Sequence, residues 1–175
     1  MRWSRKPLRR GFGRANDGAV AIEFAMVAFP LCFMLFAILE VALYFTIDTV
    51  LDNAVTETGR LIRTGQASAD GMTREQFKTM MCSQMSVFSS DCATRATVDV
   101  QVIPQFAVPP DPLDDGVFDP SEANNYSNGS PGSLMLVRVW YRQPLFTAYL
   151  AKGLSRTNDG TYMLNATTAF RNEPA

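Results

Sequence analysis

Gly18, Ala19 and Glu23 are the residues here whose types and spacing most directly suggest chemistry. Six cations (Arg2, Arg5, Lys6, Arg9, Arg10 and Arg14) precede them, and an apolar run starts at Ala19. A protease cutting between Gly18 and Ala19 would create an α-ammonium at residue 19. On a helix that charge lies at i, i+4 from the Glu23 carboxylate, so the two could pair within one chain or between neighbouring chains. The alternative is that Glu23 reaches back to lipid headgroups beside Arg14.

Catalysis finds little support. The sequence contains no His, which removes Ser-His-Asp and Cys-His catalysis and every His-ligated metal site. Three Cys without a CxxC cannot build a four-cysteine zinc site. There is no G-x-S-x-G, no S-x-x-K and no phosphate loop. An acid pair of the glycosidase kind would require convergence in space, which a sequence does not display. Asp111, Asp114, Asp115, Asp119 and Glu122 gather between 104 and 132, but their spacing does not fit an EF-hand loop. We therefore expect no metal, no cofactor and no catalytic residue.

Charge divides the chain. Residues 18–175 carry ten basic and sixteen acidic residues, a net of −6, although the whole chain stands at −1. An acidic body argues against nucleic acid as a partner. The apolar fraction of 47% excludes a wholly disordered chain.

The elements that must position Gly18 and Glu23 begin with the segment Ala19–Leu39, which holds 21 residues and one charge, Glu23. It is long enough to span a bilayer as a helix. The preceding cations place the N-terminus in the cytoplasm by the positive-inside rule. No small-x-small cleavage site follows the run, so it reads as an anchor and not as a removed secretory signal. Glu40 reads as the outer edge of the bilayer. Beyond it Ile47, Val50/Leu51, Ala54/Val55, Thr58 and Leu61/Ile62 recur at helical spacing, so one helix is expected from Ala19 to Thr64, with Gly65 as its stop. Pro30 should interrupt its hydrogen-bond ladder.

A second helix is expected over 73–88, with Thr73 and Gln76 as a capping box and Phe77, Met80, Met81 and Phe88 as a core stripe. Three strands should follow, within 96–106, 133–146 and 161–171. Residues 104–132 hold six Pro, three Gly and no Lys or Arg, and read as a long solvated loop that would serve a partner. A helix followed by three strands without intervening helices means an antiparallel sheet and an α+β domain. Cys82 and Cys92 would form a disulfide in an oxidising compartment, tying the second helix to the first strand; the alternative is two buried thiols. Cys32 falls in the apolar run.

Basic leader, Gly18, then Ala19-Val-Ala-Ile-Glu23-Phe24 opening an apolar helix resembles a type IV prepilin N-terminus. Within that group the chain resembles the TadE-like family, minor pseudopilins of tight-adherence (Flp) pilus systems. The anchor carries the resemblance, together with Asn53-Ala-Val-Thr-Glu57-Thr-Gly-Arg60 and the ending Ala169-Phe-Arg171-Asn172-Glu173-Pro174. It implies cleavage after Gly18 by a prepilin peptidase, with Glu23 and Phe24 as assembly residues near the new terminus. It also implies a pilin-like domain on a long helix, with other pilins or pseudopilins as partners. The expected organisation is a leader over 1–18, an anchor helix with its amphipathic continuation over 19–64, and a periplasmic domain over 65–175. The expected function is a non-catalytic pilus-assembly subunit of the inner membrane. The alternatives are a plain anchored envelope scaffold or sensor, and a tethered periplasmic enzyme.

Overall fold

The computed structural model describes residues 17–104, 109–114, 117–147, 153 and 157–174. The six leader cations and Asp115 lie outside them. Two compact units are present, Met1–Ile38 and Leu39–Ala175. Helix α1 (Asp17–Arg63) begins in the first and ends in the second, and runs through Pro30, which has no N–H to offer the carbonyl four residues back.

In the first unit the described residues form the apolar start of α1. In the second, the stripe foreseen on α1 is its buried face: Ile47, Leu51, Ala54, Val55, Thr58 and Ile62 are all sealed from solvent. α1 ends at Arg63, and Gly65 takes the left-handed conformation (φ 77°) that L-residues with a Cβ disfavour. A short α2 (Gln66–Ala69) leads to α3 (Arg74–Gln84). The Thr73 hydroxyl accepts from the Gln76 N–H and the Gln76 side chain accepts from the Thr73 N–H, so the capping box is complete.

The second helix is shorter than expected. It stops at Gln84 instead of 88, because Ser86 adopts φ 50° and breaks the ladder. A 3₁₀ turn (Ser86–Phe88) and α4 (Ser89–Arg95) follow. Cys82 on α3 and Cys92 on α4 are joined by a disulfide, with Cα atoms 5.5 Å apart. The bond thus ties helix to helix, where a link from helix to strand was expected.

Among the described residues five strands are present: β1 (Ala96–Val102), β2 (Leu113–Asp114), β3 (Val117–Phe118), β4 (Leu134–Pro144) and β5 (Thr161–Arg171). β1, β4 and β5 form an antiparallel sheet in the order β1-β4-β5. The expected α+β class and its three-stranded antiparallel sheet are therefore observed. In register, Val98 faces Val139 and Val100 faces Val137, while Val139 faces Ala166 on the other side. These residues share one face and pack beneath α1 and α3. Tyr44 of α1 stacks on Tyr162 with ring centroids 5.4 Å apart, and Gly59 meets Phe170, so α1 runs along β5 in the same direction.

Gly59 permits that approach. A Cβ there would sit 3.3 Å from a Phe170 ring carbon and 3.6 Å from the Thr168 methyl. Gly59→Leu should destabilise the outer domain by about 1–3 kcal/mol through overpacking, although Leu is the better helix former. Thermal unfolding of the detergent-solubilised protein measures this; an unchanged midpoint would refute the close packing.

The expectation for 104–132 needs correction. Most of its described residues are exposed, but part of it is built onto the sheet and is not a free loop. β2 and β3 form a hairpin, and Leu113 and Phe118 pack with buried Ala123 against Trp140 and Met163 on the second face of the sheet. The N–H of Val100 donates to the Asn125 carbonyl and the Ser127 N–H donates to the Val100 carbonyl, both at 2.9 Å, which covers the outer edge of β1. Arg74 donates to the side chain and carbonyl of Asn124. β4 is buried on both faces from Met135 to Tyr141, because both faces are covered.

Candidate functional site

Gly18, Ala19, Glu23 and Phe24 lie in the first turns of α1, within the first unit, and all are exposed. Phe24 is 73% exposed, and Val20, Ile22, Met26 and Val27 are similarly open. No residue from Gly18 to Leu39 is buried. An apolar surface of this extent requires lipid or the helices of other chains. The helix is long and apolar enough to cross a membrane. Among the described residues Glu23 makes no hydrogen bond or ion pair, so its carboxylate is open to a cation from outside the described part of the chain. Among the described residues nothing in the packing requires Gly18, since an added Cβ would meet none of them within 4 Å.

In the second unit, two groups of charged residues matter: Glu40, which the sequence reading took as the outer edge of the bilayer, and the pair Asp99 and Arg138, which it did not single out. The first is Glu40, the first buried residue after the exposed run, at 5% exposure. It is more than an edge marker. Its carboxylate accepts the Tyr44 hydroxyl at 2.7 Å, the Phe146 N–H at 2.6 Å and the Thr147 N–H at 3.1 Å. It therefore clasps the segment that follows β4. Burial alone would raise its pKa, but the bonds from Thr147, Tyr44 and Phe146 outweigh burial and bring the carboxyl below its usual 4.5.

A depressed folded pKa contributes stability that is present above the unfolded value and lost as pH falls through the folded one. Glu40→Gln should thus lower the unfolding midpoint at pH 7, and the gap to the parent chain should narrow as pH falls below about 4.5. A gap that stays constant down to pH 3 would show that the charge does not hold the clasp. The one signal in the sequence was a carboxylate placed directly after 21 residues of anchor.

The second group centres on Asp99 and Arg138, opposite each other in register on β1 and β4. Asp99 is 0% exposed. Arg138 reaches its Oδ2 through Nη2 at 2.8 Å and Nε at 3.1 Å, and donates Nη1 to the Pro110 carbonyl at 2.6 Å. The guanidinium also lies 4.8 Å from the Trp140 ring centroid. The other Asp99 oxygen accepts the backbone N–H and the side-chain amide of Asn125, each at 3.1 Å. The pair fastens the 109–125 segment to the sheet and is structural. Its signal was the one cation inside the apolar run 134–141.

Asp111 accepts the Leu113 N–H, and Asp119 accepts both the N–H and the hydroxyl of Ser121, so each caps its own turn. Among the described residues no group of three or more Cys, Asp or Glu could hold a metal ion. Cys32 is exposed on α1 as a free thiol.

Residues 18–60, about a quarter of the chain, match the family of TadE-like proteins. The match covers the anchor and the amphipathic half of α1, the same stretch that carried most of the resemblance. No curated protein and no solved structure matches the chain.

Proposed function

We propose, taking the TadE-like match as premise, that this chain is a non-catalytic minor pseudopilin of a tight-adherence (Flp-type) pilus system. Its N-terminus lies in the cytoplasm, α1 crosses the inner membrane through residues 19–39, and the domain from Leu39 onward works in the periplasm. A prepilin peptidase removes the basic leader between Gly18 and Ala19. The freed helix then packs beside the helices of other pilins or pseudopilins, and Glu23 neutralises an N-terminal ammonium that would otherwise lie among apolar side chains. Phe24 belongs to the same packing surface.

The observation that carries this reading is the TadE-like match coinciding with an unburied apolar helix whose first two turns hold Gly18 and Glu23. Gly18 adds support. The fold gives no steric reason for a glycine there, and glycine costs about 1 kcal/mol in a helix relative to Ala, so a peptidase's requirement accounts for it. The disulfide between Cys82 and Cys92 suits an oxidising compartment.

The test is the intact mass of the protein extracted from membranes of its native host, with and without alkylation. We expect a species beginning at Ala19, one alkylated thiol (Cys32) before reduction and three thiols after. In Gly18→Phe the mass should retain the leader. A parent chain beginning at Met1 would overturn the pseudopilin reading in favour of a plain anchored scaffold.

A further inference from the structure

The pilus reading uses the anchor and leaves Phe146 unexplained. This ring is 72% exposed, whereas Leu145 and Thr147 on either side are half-buried. Its exposure is not that of a loose loop. The N–H groups of Phe146 and Thr147 are both held by the Glu40 carboxylate, at 2.6 and 3.1 Å. Glu40 directly follows the exposed apolar run, in which no residue is buried. The backbone of Phe146 therefore stands within hydrogen-bond distance of the residue where that run ends, whatever the tilt of the helix in the bilayer.

The direction of the sheet agrees. β4 ends at Pro144 and β5 begins at Thr161, and Tyr162 stacks on Tyr44, one turn beyond Glu40. The other end of β5 is remote from this level, because the Glu173 N–H donates to the Arg63 carbonyl. The end of the sheet bearing Phe146 is the end nearest Glu40.

We propose that Phe146 is a second membrane contact, an aromatic lip that Glu40 holds in the interfacial layer of the outer leaflet. The partner is a lipid surface. Aromatic rings favour that layer, where their apolar body leaves water without entering the hydrocarbon core. A buried carboxylate that spends its acceptor capacity on two N–H groups beside one exposed ring fixes that ring at a set depth. With one covalent crossing and one lip, the outer domain is held against the bilayer surface and its swing about α1 is restricted. The inference rests on residues 19–39 spanning the membrane.

The test uses the full chain reconstituted into phosphatidylcholine vesicles, with nitroxide labels at single free thiols. One label goes on Phe146→Cys in a Cys32→Ser background. A second goes on Val87→Cys in the same background, a site 83% exposed on the turn between α3 and α4. A third goes on native Cys32. We expect the label at 146 to meet dissolved oxygen, relative to a water-soluble nickel chelate, several-fold more often than the label at 87. A label at 146 as open to the chelate as that at 87, with Cys32 shielded in lipid, would overturn the lip alone. A label at Cys32 open to the chelate would overturn the spanning helix itself. Phe146→Trp preserves an aromatic ring and supplies a second readout. Its added fluorescence should be quenched by brominated lipid, and no quenching refutes the contact.

Discussion

A chain carrying Glu23→Leu should enter the membrane and fail to assemble. Leu favours the bilayer more than a carboxylate does, so insertion is not the step at risk. The loss falls later, when helices pack and the α-ammonium of Ala19 must leave water. Removing one partner of a buried ion pair costs about 3–5 kcal/mol, which is roughly two to four orders of magnitude in an assembly equilibrium. Glu23 has no partner among the described residues and no residue around it is buried, so the substitution leaves the rest of the fold intact. The measurement is twofold: the amount of protein in the membrane fraction, and the number of pili per cell. Unchanged protein with few or no pili is the expected pair of results. Normal piliation would remove Glu23 from the mechanism while leaving the anchor in place.

The second large effect belongs to the outer domain. Arg138→Leu should destabilise it by about 3–5 kcal/mol, because Asp99 stays buried without its cation. For a domain of this size that is a fall in unfolding midpoint on the order of 10–15 °C. The hairpin over 113–118 should loosen at the same time. It loses the guanidinium bond to the Pro110 carbonyl and the cation beside Trp140, against which Phe118 packs with ring centroids 5.9 Å apart. The double variant Asp99→Leu with Arg138→Leu should recover part of the loss, since no uncompensated charge remains. Recovery should stay incomplete because Asn125 loses the acceptor for its N–H and its side-chain amide. A double variant no more stable than Arg138→Leu would show that the cost lies in packing and not in the stranded charge. Thermal unfolding with the disulfide intact, followed by near-ultraviolet circular dichroism of Trp140, reads both quantities.

These two sites differ in how they could be found. The proposal for Glu23 comes from residue types and spacing alone, because its argument is local: a basic leader, a glycine, and a carboxylate one turn into an apolar helix. Asp99 looked like an ordinary outward residue of an alternating strand. The strand itself was expected, but nothing in the alternation over 96–102 says what lies over the face of Thr97, Asp99 and Gln101, where Asn125 and Arg138 engage Asp99. The density of apolar residues in β4 was the overlooked hint, since a strand apolar on both faces implies cover on both. The Pro-rich composition of 104–132 suggested solvation for the same reason that it permits a close fit. Proline restricts the chain to extended and turn conformations, and these can lie flat on a sheet without helix or long strand.

What the sequence determined by itself was everything decided over a few residues. The length and apolarity of Ala19–Leu39, the capping box at Thr73 and Gln76, the stop at Gly65 and the strand periods all depend on neighbours within about one or two turns. Only the tertiary structure decided which polar groups would be buried. Glu40 finds the N–H groups of Phe146 and Thr147 at separations of 106 and 107 residues, and Asp99 finds Arg138 at a separation of 39. A carboxylate can be placed in the interior only if such partners arrive together, since burial without them costs several kcal/mol per charge. That condition belongs to the folded chain as a whole, and no window of the sequence contains it.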